Sequence, residues 1–245
     1  MKWGTKYHAN YVNTLYSMVS RHLSLPFRFV CLTDDNTNLR AEIESLPIPQ
    51  LDIPNGPERG WDKLVTFSDP LYDLKGQALF LDLDVVIVDN IDCFFAHNAE
   101  FPIIKDWVKK DVTGNSSVYR FTIGKHPEIL ENFRQNHHTI RQQVRNEQEY
   151  LSQFMAKQGQ LSYWPEHWCK SFKYNCIHKG LNAWFKVPNK PADCKIVVFH
   201  GNPNPPDAIF GQGGNGIEKY CPHLGWQNIG NNLRKRLCVN TYITF

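Results

Sequence analysis

Two aspartates, Asp82 and Asp84, stand one residue apart in the run Leu79-Phe80-Leu81-Asp82-Leu83-Asp84-Val85-Val86-Ile87-Val88. In an extended backbone, residues i and i+2 share one face while Leu83 points to the other. Two carboxylates ~6.6 Å apart repel by roughly 2.5 kcal/mol at an effective dielectric of about 20. A divalent cation with oxygen ligands turns that repulsion into attraction. The competing reading is a strand end whose aspartates are merely solvated, since a bare D-x-D is a common pattern. The flanking apolar runs favour the cation, because charge between them is costly without a partner. His200 is the second candidate ligand. It ends the apolar run Ile196-Val197-Val198-Phe199, precedes Gly201, and can present neutral imidazole to a metal. The alternative for it is a hydrogen-bonded surface histidine, one of ten in the chain.

These side chains need strands to carry them and helices to cover the strands. Tyr11, Leu15, Met18 and His22 follow helical spacing, which predicts a helix over 10–23. Phe27 to Leu32 reads as a strand closed by Thr33-Asp34-Asp35-Asn36. The stretch 47–60, rich in proline, is a loop, and Trp61 to Phe67 a short helix. Ala78 to Leu81, Val85 to Val88, Phe101 to Ile104, Ser116 to Phe121 and Ile196 to Phe199 are strand candidates, and 127–158 is mostly helical in pattern. Near-continuous apolar strands separated by helices predict an α/β fold with a mixed, mostly parallel sheet covered on both faces. Ligands in such sheets sit beyond the carboxyl ends of the strands, where Asp34, Asp82, Asp84 and His200 fall. Such a domain wants a strand before its first helix, and only Met1 to Gly4 are available for it.

Composition narrows the function classes. The 245 residues suit one large domain or two small ones, and 42% hydrophobic with 21% charged residues is ordinary for a globular chain. A net charge of +3, without clustering, gives no case for nucleic acid. No apolar run approaches the ~18 residues of a membrane span, and the opening residues lack a signal-peptide pattern. Seven cysteines with no C-x-x-C pair read as reduced, partly buried thiols, so a cytoplasmic setting is expected. Arg234-Lys235-Arg236 offers at most a weak peripheral contact with an anionic membrane, the alternative being a solvated helix end.

Several motifs in order resemble one family. Trp61-Asp62-Lys63-Leu64, the strand into Asp82-Leu83-Asp84, and Ile91-Asp92-Cys93-Phe94-Phe95 resemble the nucleotide-sugar core of GT-A glycosyltransferases. The likeness is nearest to family eight, which includes glycogenin and bacterial lipopolysaccharide galactosyl- and glucosyltransferases. Asn115-Ser116-Ser117-Val118 is similar to that family's sugar-binding strand, Glu147-Gln148-Glu149-Tyr150-Leu151 to its D-Q-x-x-L helix, and His200-Gly201-Asn202-Pro203 to its late metal and phosphate segment. Lys2 to Tyr7 and Trp164 to Trp168 look more like an uncharacterised bacterial branch of GT-A proteins. The likeness spans 1–206, taken as one catalytic domain, with 207–245 as an irregular extension packed on it.

The resemblance implies transfer of a sugar from a nucleotide-sugar donor, UDP-sugar by preference, to a glycan or other acceptor hydroxyl, with retention at the anomeric carbon. It further implies surface-polysaccharide assembly at the inner face of a membrane. It makes Asp84 and His200 ligands of Mn²⁺ or Mg²⁺, and Asp82 a holder of the ribose or the metal. Lys63 then contacts the donor, Asn115 and Ser116 hold sugar hydroxyls, and Glu147 and Gln148 lie near the reacting face. Tyr7 stacks on the base and Asp34 accepts a hydrogen bond from it. Asp34 is also suited to capping its own turn. The chain departs from the family in three places. The late lysine that holds the diphosphate is absent, leaving that duty to Lys63 or Lys173; Ser117 stands where glycine is usual; and Glu147 replaces an aspartate. Two rival readings are a haloacid-dehalogenase-like phosphohydrolase, whose D-x-D also follows an apolar strand, and a non-catalytic nucleotide-sugar binder.

Overall fold

The structure is a computed structural model, and it describes residues 1–54, 56–178 and 188–209. The proposed extension over 207–245 and the basic Arg234-Lys235-Arg236 cluster lie outside these, except for the first residues of the extension. The chain divides into two compact units. The first comprises Met1–Asn13, Leu25–Leu83 and Asp92–Glu166; the second comprises Thr14–Ser24, Asp84–Ile91 and the described part of His167–Phe245.

Helix α1 (Ala9–His22) forms where the apolar period predicts it, and Val12, Leu15, Met18 and Val19 are its buried stripe. In the first unit, β1 (Val30–Leu32) pairs in parallel with β2 (Glu44–Leu46). A four-stranded sheet has the order β3-β6-β5-β7, with β3 (Gln77–Leu81), β5 (Phe101–Lys105), β6 (Gly114–Thr122) and β7 (Leu161–Tyr163). The pairs β3/β6 and β5/β6 are antiparallel, and β5/β7 is parallel. A 3-10 helix (Trp61–Phe67) and helices α2 (Asp92–Ala96), α3 (Glu128–Gln143) and α4 (Glu147–Lys157) complete this unit. Its core joins Leu64, Phe67, Phe101, Ile103, Tyr119, Phe133 and Met155, all nearly inaccessible. Trp61 stacks on Phe133, and Phe80 stacks on Tyr119.

In the second unit the sheet order is β4-β9-β8, from β4 (Val85–Ile87), β8 (Cys169–Ser171) and β9 (Ile196–Val198). The pair β4/β9 is antiparallel and β8/β9 parallel. A π-helical turn (Phe172–Cys176) follows β8, and a short helix α5 (Pro205–Ile209) follows β9. Cys169, Cys176 and Cys194 are buried free thiols here, as Cys31 is in the first unit.

The α/β class with a mixed sheet is as expected, but parallel pairs do not predominate. Among the described strands three pairings are parallel and three antiparallel. The strand expected before α1 shrinks to one bridge, Lys2 with Thr33. The aspartate pair also differs from expectation. Asp82 follows the end of β3, and Leu83 and Asp84 form a turn that leads into β4. The extended geometry that would align both carboxylates on one face is therefore absent. β3 and β4 belong to different sheets, and the tripeptide between them is part of neither strand.

Candidate functional site

Four chain segments of the first unit converge on one ammonium group. The 3-10 helix buries Trp61, Leu64, Val65 and Phe67 and leaves Lys63 half-buried. Lys63 Nζ lies 2.7 Å from Asp82 Oδ1 and donates to Asp82 Oδ2 at 3.0 Å, where the chain leaves β3. It also lies 3.5 Å from Ser116 Oγ on β6 and 3.9 Å from Glu147 Oε1, at the first residue of α4. Asn146 caps that helix by accepting the Glu149 N–H at 3.2 Å, which fixes where Glu147 enters.

Glu147 is the unusual member. It is 4% exposed, and among the described residues its Oε1 has no hydrogen-bond partner. Burial pushes its carboxyl above the ordinary glutamate range; Lys63 and a hydrogen bond from Ser116 pull it back, and Asp82 adds to the rise. Gly60 makes the close approach possible. Its φ is +77°, and a Cβ there would sit 2.7 Å from Glu147 Oε2. Beneath the cluster, the Tyr119 hydroxyl lies 3.5 Å from Thr66 Oγ1, and burial holds its phenol far above the usual value. The arrangement is a positively charged group held between two carboxylates and a hydroxyl, with one buried acceptor atom left over.

Other expected site residues are placed as follows. Asn115 is buried, and its Oδ1 accepts the Ser117 N–H at 3.1 Å, so it shapes β6 from within. Gln148 follows Glu147 on α4, and its carbonyl accepts the Ser152 hydroxyl. The Tyr7 ring meets Tyr11 edge-on at 4.9 Å, with Lys6 Nζ over it at 4.8 Å. Asp34 is exposed and accepts the Gly4 N–H at 2.8 Å. Asp34 also lines an open cleft of about 690 Å³ in the first unit, together with Glu58, Asp62, Arg141 and four loop prolines. Within that cleft, burial and the neighbouring Glu58 raise the Asp62 carboxyl, and Arg141 opposes them. Sequence reasoning missed Asp62 and Arg141 as cleft residues, because no local pattern announces a cleft formed between a proline-rich loop and a distant helix.

In the second unit, Asp84 and His200 flank the same end of the β4/β9 ladder. Asp84 precedes β4 and so does not end a strand at its carboxyl side, contrary to expectation. Antiparallel pairing nevertheless brings the start of β4 beside the end of β9, and the Asp84 carbonyl accepts the Phe199 N–H at 3.3 Å. His200 Nε2 lies 2.7 Å from Ser171 Oγ, and its ring lies 5.3 Å from the ring of Tyr174. Lys173 is exposed, with its Nζ 6.0 Å from the Tyr174 ring centroid. Among the described residues no group of three or more His, Cys, Asp and Glu side chains could hold a metal ion. Mg²⁺ is usually bound by one or two carboxylates and takes the rest of its ligands from substrate phosphates and water.

No family model matches the chain, and no curated protein matches it in sequence. Solved structures do match. The crystal structure of the glycosyltransferase GlyE of Streptococcus pneumoniae TIGR4 superposes with a TM-score of 0.59 at 14% identity, covering 99% of this chain. The chain spans 66% of the length of that structure. At this identity the likeness concerns the fold alone, and the chain shares the α/β fold of that structure.

Proposed function

We propose that the protein is a metal-dependent glycosyltransferase that moves a sugar from a nucleotide-sugar donor, by preference a UDP-sugar, to a glycan or other acceptor hydroxyl with retention. The observation that carries this reading is the partly buried Lys63–Asp82–Glu147 cluster at the carboxyl end of β3, in a chain whose fold is similar to that of a glycosyltransferase. Open α/β sheets bind ligands beyond the carboxyl ends of their strands.

Each side chain has a task that its chemistry fits. Lys63 offers a fixed positive charge to the donor, while Asp82 and Glu147 keep the ammonium in place. Ser116 is oriented by Lys63 to meet a sugar hydroxyl. Glu147 Oε1, buried and without a hydrogen-bond partner among the described residues, accepts a hydrogen bond from another sugar hydroxyl. Gln148 and Asn115 support this face from α4 and β6. In the second unit, Asp84 and His200 hold Mn²⁺ or Mg²⁺, and Lys173 adds positive charge for phosphate. The cation, when bound, supplies Lewis-acid stabilisation of the departing nucleoside diphosphate. The protein's remaining contribution is to hold donor and acceptor in register, which lowers the barrier by removing freedom in advance.

The base assignment rests on Asp34 and Tyr7. A carboxylate accepts from the imide N–H that uracil has and cytosine lacks, and once a bound base shields the exposed Asp34 from water, an acceptor left unpaired penalises the wrong base. Calorimetry with manganese present tests this. UDP is expected to bind at least tenfold more tightly than CDP, with Asp34→Ala removing the difference. Equal affinities, or an unchanged UDP affinity in Asp34→Ala, would reduce Asp34 to its bond with the Gly4 amide.

A further inference from the structure

Asp62 takes no part in the roles assigned above, although it is the direct neighbour of Lys63. It is half-buried, and its carboxylate makes no hydrogen bond or ion pair with any described residue. It lines the open cleft of about 690 Å³ in the first unit, a size suited to a small ligand. Arg141, on α3, lines the same cleft. Its Nη1 donates to the Pro54 carbonyl at 3.2 Å, and its guanidinium lies 5.8 Å from the Phe133 ring centroid. The loop packs so closely on it that a Cβ at Gly56 would stand 2.8 Å from Nη1. The guanidinium is thus held without pairing to a described carboxylate. From a distance it favours the charged form of Asp62 against burial, and no described residue occupies the Asp62 oxygens.

The other carboxylates of the cleft are committed. Asp34 accepts the Gly4 N–H at 2.8 Å, and Asp52 pairs with Arg134 at 3.1 Å. Glu58 accepts from the Trp3 indole at 3.3 Å and from the Gly60 N–H at 2.7 Å. These charges select the ligand. Asp34, Glu58 and Asp62 outnumber Arg141, so a phosphate group is repelled. A divalent ion would face the Arg141 charge, and among the described residues no group of three His, Cys, Asp or Glu could hold one. A neutral ligand rich in hydroxyls meets neither obstacle. Its hydroxyls donate to a carboxylate, which is acceptor only, while its carbons pack on the loop prolines and Ile48. We propose that Asp62 is the acceptor for adjacent hydroxyls of a neutral sugar ring bound in this cleft. Asp82, expected to hold the ribose or the metal, is instead drawn to Lys63 at 2.7 and 3.0 Å. Two sources share this chemistry. One is the ribose of the donor, for which Asp34 in the same cleft and Lys63 next in sequence argue; the other is a pyranose of the acceptor. The proposal rests on the transfer reading only for the choice of these two sources.

The test has two arms, each run on the parent protein and on Asp62→Ala. Calorimetry with MnCl₂ compares UDP with 2′,3′-dideoxy-UDP, and saturation-transfer NMR examines the methyl pyranosides of glucose, galactose and mannose. If ribose fills the cleft, UDP should bind about 10–100-fold more tightly than its dideoxy analogue, the scale for hydrogen bonds to a charged group, and Asp62→Ala should remove the ratio. If a pyranose fills it, at least one pyranoside should show saturation transfer that Asp62→Ala abolishes. Either result supports the proposal and names the source. Losing a half-buried, unpaired carboxylate should leave the urea midpoint equal or higher, which separates this role from a structural one. Asp62→Asn, which keeps the shape, takes the place of Asp62→Ala if that variant fails to fold. The proposal is overturned if no ligand of either arm binds in an Asp62-dependent way. Manganese-dependent UDP release from a UDP-sugar would then leave the transfer reading standing, so the two failures are distinct.

Discussion

Glu147 sits where a carboxylate is costly, and that cost makes its role measurable. Its native carboxyl lies above the unfolded value of about 4.3, chiefly because it is buried. Between that value and the raised native one, the folded protein binds more protons than the unfolded chain. Its contribution to stability therefore falls as pH rises through this window. Glu147→Gln carries no titrating group, so its urea midpoint should gain on the parent's as pH goes from about 4 to 7; parallel midpoints would show that the burial is harmless. Lys63 provides the opposite case. Lys63→Met leaves Asp82 and Glu147 facing each other without a cation, and stability should fall by roughly 1–3 kcal/mol. UDP affinity should fall with it, and a variant of unchanged stability and affinity would remove Lys63 from the donor site. Asp82 was legible in the sequence by type and spacing, whereas Lys63, Ser116 and Glu147 were candidates only through the family resemblance. Their meeting at one ammonium was not legible, because 84 positions separate Lys63 from Glu147 and local spacing carries no information about that approach.

At the scale of elements, the cluster depends on where α4 begins. The Asn146 cap sets that start, and the first turn then delivers Glu147 toward Lys63. Asn146→Ala should cost about 1 kcal/mol and lower Tm by ~2–4 °C, with a larger proportional loss in donor affinity than in stability. A lost cap that leaves donor affinity intact would mean that packing alone positions α4. The helices were legible because their apolar periods are strong: α1 lies within a residue of its expected bounds, and the expected 127–158 is helical from Glu128 to Lys157 apart from a kink at Asn136 and the break at Val144 to Asn146. The strands β2, β7 and β8 were not foreseen. Each is three residues long, and Glu44–Leu46 and Cys169–Ser171 lack the β-branched or aromatic run that announces a strand. The turn at Leu83-Asp84 was hidden for a related reason. Apolar runs on both sides read as two strands with the aspartates between them, and nothing in the spacing marks Leu83 and Asp84 as a turn.

At the scale of the molecule, the mixed sheets and the flanking helices agree with a glycosyltransferase fold, and the activity proposed for it rests on side chains rather than on that fold. Among the described residues no helix is long and apolar enough to cross a membrane, and the basic cluster considered for surface contact lies outside them. The central claim is donor-dependent glycosyl transfer. Its most direct measurement is release of the nucleoside diphosphate from a panel of nucleotide-sugars, with MnCl₂ and with EDTA. The account predicts manganese-dependent UDP release from at least one UDP-sugar, lowered by roughly 10²–10³ in Asp84→Asn, the scale for losing one preorganised electrostatic stabiliser. No release from any donor, full release in EDTA, or phosphate release from a simple monoester in its place would contradict it.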